Sequence, residues 1–133
     1  MNILKIEGIG PVNASNLQKA GVLTTERLLK VGASKTGRRN LAAQADISES
    51  QILEWVNRAD LMRVKGVGEE YSDLLEAAGV DTVKELRRRN ADNLLGAMLG
   101  VNAAKKLVRR PPSLSMVQAW VESAKSLEPV VTY

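Results

Sequence analysis

The amino-acid sequence predicts an all-α protein, and three observations support that fold class. No segment of the 133 residues sustains the alternation of apolar and polar side chains that is typical of β-strands. Apolar residues instead recur at helical spacing, most clearly between Ile52 and Met62. Residues that commonly cap helices precede several of these segments. With 44% hydrophobic residues, the chain is also too apolar for a disordered protein.

The sequence contains an internal repeat. Ile6-Glu7-Gly8-Ile9-Gly10 returns 58 residues later as Val64-Lys65-Gly66-Val67-Gly68. The following residues stay in register, because Leu17, Ala20, Gly21, Val22, Thr24 and Leu28 correspond to Leu75, Ala78, Gly79, Val80, Thr82 and Leu86. We therefore predict two halves, residues 1–62 and 63–133. Neither half is large enough to bury a full core alone, so we expect them to pack together.

A tryptophan-bearing helix also occurs twice. The apolar face of Ile52, Trp55, Val56, Ala59 and Met62 returns 65 residues later as Val117, Trp120, Val121, Ala124 and Leu127. The second half has therefore gained seven residues, which we place in the region up to Pro111-Pro112. The two tryptophans could serve as stacking platforms for a ligand. Their place on the apolar face favours the alternative that they anchor the core.

Capping residues mark the predicted helix boundaries. Ser48 with Gln51, and Thr82 with Glu85, have the spacing of capping boxes. Single N-caps are predicted at Asn90 and Ser113, and left-handed helix ends at Gly21 and Gly79.

The repeated glycine turns suggest a chemistry. Glycines at both ends of a three-residue turn permit positive φ angles. Such a turn directs backbone N–H groups outward beside the positive end of the next helix, which makes an anion site suited to a nucleic-acid phosphate. The middle residues, Ile9 and Val67, should turn inward. The alternative is a tight helix–helix corner without a ligand.

Charge is segregated along the chain. Residues 1–45 carry seven basic and two acidic residues. Residues 46–81 carry three basic and nine acidic residues, and residues 82–110 carry eight basic and two acidic residues. If the basic groups converge on one face, they form a patch that follows a phosphate backbone. Separate solvated faces are the alternative. The candidate phosphate-binding residues are Lys5, Gly8, Ile9, Gly10, Arg38, Arg39, Lys65, Gly66, Val67, Gly68, Arg87, Arg88, Lys105, Lys106 and Arg109.

Both repeats resemble the helix-hairpin-helix motif of DNA repair and recombination proteins. The chain from Ile6 to about Leu127 resembles a bacterial family of tandem helix-hairpin-helix proteins that is catalogued as a domain of unknown function. The resemblance implies two tandem repeats packed as one compact helical unit, similar to a SAM domain. Its other carrying segments are Trp55-Val56-Asn57-Arg58-Ala59-Asp60-Leu61-Met62-Arg63, Leu74-Leu75-Glu76-Ala77-Ala78-Gly79-Val80 and Lys105-Lys106-Leu107-Val108-Arg109-Arg110.

The first helical turn after each glycine motif departs from DNA-binding hairpins, which resemble one another in carrying Lys or Arg there. The first repeat has the neutral Pro11-Val12-Asn13, and the second has Glu69-Glu70. Carboxylates at a helix N-terminus stabilise the helix but repel a phosphate. The first hairpin is therefore the better candidate for a phosphate.

Two functions follow from these patterns. The first is non-specific DNA binding through the phosphate backbone; the second is a protein–protein adaptor that uses helix faces and the acidic segment 46–81. The chain has no Cys and no His, which removes thiolate metal sites and the commonest general base. We expect no enzymatic activity and no cofactor. The short apolar runs and the non-signal-like start favour a cytoplasmic protein without membrane spans.

Overall fold

The computed structural model describes all residues from Met1 to Tyr133, and it confirms the predicted all-α fold class. It contains eight α-helices and a short 3₁₀ helix, Ile3–Lys5, with no β-strand beyond an isolated bridge between Asn2 and Thr24. The chain divides into two compact units. Unit 1 comprises Met1–Asp60 with Val130–Tyr133, and unit 2 comprises Leu61–Pro129. None of the helices combines the length and the apolar character needed to cross a bilayer.

Unit 1 contains the 3₁₀ helix and the first four α-helices. α1 (Gly10–Lys19) and α2 (Thr25–Gly32) both pack against α3 (Lys35–Ala45), and α4 (Glu49–Leu61) follows. Thr132, close to the end of the chain, donates its N–H to the carbonyl of Ala33 at 2.8 Å. This bond explains why Val130–Tyr133 belong to unit 1 despite their distance along the sequence.

Unit 2 contains the last four helices, α5 (Glu69–Ala77), α6 (Val83–Leu86), α7 (Ala91–Lys105) and α8 (Leu114–Lys125). α8 packs against α6 and α7, and α5 packs against α7. One apolar cluster fills the unit, and it includes Trp120, which is 3% exposed.

The repeat in the sequence corresponds to equivalent burial in each unit. An apolar side chain that is buried in unit 1 has a buried counterpart at the matching position of unit 2, because the same helix faces turn inward. The matching buried pairs include Ile6 and Val64, Ile9 and Val67, Leu17 and Leu75, Val22 and Val80, Leu28 and Leu86, Ile52 and Val117, Trp55 and Trp120, Val56 and Val121, and Ala59 and Ala124.

Most predicted helix boundaries are confirmed. Ser48 accepts the N–H of Gln51 at 3.2 Å, Asn90 that of Asn93 at 3.0 Å, and Ser113 that of Met116 at 3.2 Å. Gly21 and Gly79 follow α1 and α5 with φ angles of +86° and +95°.

The predicted capping box at Thr82 is wrong. The Thr82 side chain makes no capping hydrogen bond, and it is buried instead. Only its backbone carbonyl joins the helix, by accepting the N–H groups of Glu85 and Leu86.

The seven additional residues of the second half are spread over several elements. The connector between α7 and α8 spans residues 106–113, whereas the corresponding connector between α3 and α4 spans only 46–48. α7 is also longer than α3, with 15 residues against 11. The Asn102 side chain fixes the long connector, because its amide accepts the Val108 N–H at 2.9 Å and donates to the Val108 carbonyl at 3.2 Å.

Candidate functional site

The first glycine motif forms an exposed corner at the start of α1. Gly8 and Gly10 have φ angles of +92° and +68°, which lie in the left-handed region that side chains rarely adopt. Ile9 between them is 1% exposed, so it turns inward as predicted. The space beside Gly10 is open, because no atom lies within 4 Å of where a Cβ would stand. We call residues Gly8–Val12 the first corner.

The first corner has backbone donors that the protein does not use. The Ile9 N–H donates to the Ile6 carbonyl at 3.4 Å, which closes the turn. The N–H groups of Gly8, Gly10 and Val12 have no acceptor within the chain, and no side chain caps α1. All three residues are exposed. The N-terminus of a helix carries a partial positive charge, so these donors form a surface suited to an anion.

The segment before the first corner is fixed against the start of α2. The Ile3 N–H donates to the Leu23 carbonyl at 3.2 Å, and the Thr25 N–H donates to the Met1 carbonyl at 2.8 Å. The Met1 ammonium donates to Glu26 at 2.7 Å. This hydrogen bond, with a second from Thr25, lowers the pKa of Glu26 to about 2. The corner therefore begins from an anchored segment, a feature that the sequence did not reveal.

The second glycine motif forms a corner with different charges at the start of α5. We call residues Gly66–Glu70 the second corner. Gly66 has a φ of +90°, but Gly68 has a φ of −114°. Val67 is 3% exposed and donates its N–H to the Val64 carbonyl at 3.0 Å, as the equivalent Ile9 does. The first turn of α5 presents the exposed side chains of Glu69 and Glu70. These carboxylates occupy the positive end of the helix, where they stabilise the helix and would repel an anion.

The tryptophans are core residues, as the sequence favoured, and each also approaches a corner. Trp55 and Trp120 are both 3% exposed, so neither ring is a free stacking platform. The Tyr71 ring packs on Trp120 at 5.1 Å between centroids. A Cβ on Gly8 would stand 3.8 Å from Trp55 Nε1, and one on Gly66 would stand 3.2 Å from Trp120 Nε1. Helical periodicity places these rings in the core but does not show which ring atom faces the turn.

Arg38 is a structural residue, which corrects its place among the predicted phosphate-binding residues. Its side chain is buried, with the residue 4% exposed. The guanidinium donates to the carbonyls of Gly32 at 2.9 Å, Ala33 at 3.0 Å and Thr132 at 2.6 Å. It also lies 5.8 Å from the centre of the Tyr133 ring. A group with these partners is not available to a phosphate.

Most other predicted basic residues are at the surface. Lys5 precedes the first corner, and Arg39 points to solvent with 66% of its side chain exposed, at 3.9 Å from Glu49. Unit 1 therefore contains both the first corner and exposed cations. In unit 2, Arg87 is half-buried, and the exposed candidates are Lys65, Arg88, Lys105, Lys106 and Arg109.

Comparison with known proteins gives a family but no activity. Residues 7–127 match the family described as Domain of unknown function (DUF4332). The chain belongs to this family. Comparison with curated proteins and with solved structures gave no match. The DUF4332 match spans both corners and all eight α-helices, so the candidate site lies within the shared domain.

Proposed function

We propose that this DUF4332 protein binds DNA through its phosphate backbone, without sequence preference, and that the first corner acts as a helix-hairpin-helix contact. The observation that carries the proposal is the open corner at α1, where the N–H groups of Gly8, Gly10 and Val12 have no acceptor within the chain. No carboxylate lies in the first turn of this helix. A phosphate oxygen supplies the acceptors and the negative charge that such a helix end favours.

Exposed cations in the same unit and the net charge of the chain support a phosphate rather than a neutral ligand. Lys5 and Arg39 are exposed in the same unit as the first corner, and the whole chain has a net charge of +4. Contacts of this kind neutralise phosphates and release counterions, so binding weakens as salt rises. They carry no information about base sequence, which is why we propose non-specific binding.

Recognition of exposed bases is less well supported. The chain has no Phe, and both tryptophans are buried. Proteins that bind single strands commonly stack bases on exposed aromatic rings. We therefore propose duplex DNA as the ligand of the first corner. We also propose that the protein is bacterial and cytoplasmic and has no enzymatic activity.

A titration of a short labelled duplex at two salt concentrations tests the proposal. Between about 50 and about 200 mM salt, we expect the affinity to fall, with a logarithmic slope of about −0.9 for each phosphate neutralised. Fluorescence anisotropy measures both affinities. Absence of binding at low salt, or weak binding that ignores salt, would contradict the proposal.

An adaptor that binds another protein is the second candidate, and the second corner favours it. The exposed carboxylates of Glu69 and Glu70 would repel DNA but suit a basic protein surface. A pull-down with nuclease-treated lysate tests this alternative. Enrichment of one protein after nuclease treatment supports an adaptor, and loss of all partners argues against it.

A further inference from the structure

The tryptophan of each unit places its indole N–H beside a glycine corner. At the first corner, the position that a Gly8 Cβ would occupy is 3.8 Å from Trp55 Nε1. Gly8 has no side chain, so no Cβ stands between its backbone and the indole nitrogen. The unit thus combines a helix N-terminus with a side-chain donor at the same turn.

The Trp55 indole N–H has no hydrogen-bond partner within the protein, although the residue is 3% exposed. The nitrogen is not sealed from solvent, because it is not among the fully enclosed polar atoms that lack a partner. An indole N–H is a donor only, and buried tryptophans usually satisfy it. A donor that is unpaired at the edge of an anion-binding surface has the chemistry to bind an acceptor from outside.

We propose that the Trp55 indole N–H donates a hydrogen bond to the phosphate that the first corner holds. This inference rests on the proposed function and adds a ligand-binding side chain to a site otherwise made of backbone N–H groups. It also gives Gly8 a second role, because a Cβ at this position would stand in contact with the indole nitrogen. The glycine keeps the path between the indole and the ligand open.

The second corner provides an internal comparison. Trp120 has the same burial as Trp55 and likewise has no acceptor for its indole N–H. The carboxylates of Glu69 and Glu70, however, occupy the first turn of the adjacent helix. A phosphate is repelled there, so the Trp120 indole should not respond to DNA.

The two indole N–H groups are resolved from backbone signals in a ¹H–¹⁵N NMR spectrum, which makes the test direct. The Trp55→Phe and Trp120→Phe variants assign the two signals. On titration with a short duplex, the Trp55 indole signal should shift and should saturate at the same duplex concentration as the anisotropy. The Trp120 signal should stay in place. A stationary Trp55 signal in the presence of bound duplex would overturn the inference.

Affinity measurements give an independent readout. Trp55→Phe keeps an aromatic ring and removes the N–H, so duplex affinity should fall about tenfold or more, as expected for one lost hydrogen bond to a charged group. Trp120→Phe should change it less than about twofold. Thermal melting checks that both variants fold. If Trp55→Phe does not fold, the indole titration of the wild-type protein alone tests whether Trp55 binds the phosphate.

The outcomes separate this inference from the function on which it rests. Salt-dependent duplex binding that persists in Trp55→Phe, together with an unmoved Trp55 signal in the wild-type protein, contradicts the role of Trp55 and leaves the proposed function standing. If the wild-type protein binds no duplex at low salt, the proposed function fails, and the inference fails with it.

Discussion

At the scale of single residues, Arg38 and Arg39 show how one helix separates two roles. Successive residues on an α-helix are rotated by about 100°, so neighbours face different surroundings. Arg38 turns into unit 1, where three carbonyl groups accept from its guanidinium, and Arg39 turns to solvent. A buried charge requires this degree of satisfaction, because desolvation is otherwise costly. Arg38 therefore stabilises the fold, whereas Arg39 is available to the candidate interface.

Replacing each arginine with methionine tests that division. Arg38→Met should lower the free energy of unfolding by about 1–3 kcal/mol, because buried carbonyls lose their donor. Arg39→Met should change it by less than about 0.5 kcal/mol. It should instead weaken duplex binding and reduce the salt slope by about 1 if Arg39 contacts a phosphate. Urea denaturation and the duplex titration measure the two effects. Equal stability of the two variants would refute a structural role for Arg38.

The sequence could not distinguish these neighbours. Both arginines follow Gly37 in a polar stretch, and the decisive partner of Arg38, the Thr132 carbonyl, lies 94 residues further along the chain. Sequence patterns describe local periodicity, whereas this bond depends on how the end of the chain returns to α3. The inward direction of Ile9 and Val67, by contrast, follows from their local turn and was predicted correctly.

At the scale of elements, Gly10 at the first corner and Gly96 inside α7 have opposite energetic roles. Gly10 has a φ of +68°, which only glycine adopts without cost. Gly96 lies inside α7 with an ordinary helical backbone, and no atom lies within 4 Å of where its Cβ would stand. A glycine inside a helix lowers stability relative to alanine.

The matched alanine substitutions should therefore differ in sign. Gly10→Ala should destabilise the protein by about 1–2 kcal/mol, because its Cβ is strained in the left-handed region. Gly96→Ala should stabilise it by up to about 1 kcal/mol. Urea denaturation of both variants checks the difference. A stabilised Gly10→Ala variant would show that the first corner does not hold a left-handed backbone at this residue.

The elements themselves were largely predictable, and the exceptions have local causes. Polar caps at Ser48, Asn90 and Ser113 act within one helical turn, so the sequence was sufficient to predict them. Thr82 has the same capping-box spacing as Ser48, but its side chain is buried and makes no capping hydrogen bond. The long connector after α7 is held by hydrogen bonds between Asn102 and Val108, a contact that periodicity cannot show.

At the scale of the whole molecule, the two units have the same order of elements but different corner chemistry. Both bury the same apolar positions, and in each the corner residue donates to the residue three places earlier. They differ in the helical turn that follows, where Val12 of the first unit corresponds to Glu70 of the second. Val12 is 75% exposed. The repeat itself, and this difference, were visible in the sequence, whereas the unpaired indole N–H groups were not.

Our central claim is that the first corner binds the phosphate because the first turn of α1 lacks a carboxylate. Exchanging the corner residues tests this claim with little change to the fold. Val12→Glu places at α1 the carboxylate that α5 carries at Glu70, and a helix N-terminus tolerates or favours that charge. Glu70→Val makes the reciprocal change. Val12→Gln is the neutral control of similar size.

Duplex affinity of these variants at low salt is the most direct measurement. Val12→Glu should weaken binding about tenfold or more, because a like charge then stands within a few ångströms of the phosphate, while Val12→Gln stays within about threefold of the wild type. Glu70→Val should bind at least as tightly as the wild type. A folded Val12→Glu variant with undiminished affinity would contradict the claim and place any DNA contact elsewhere.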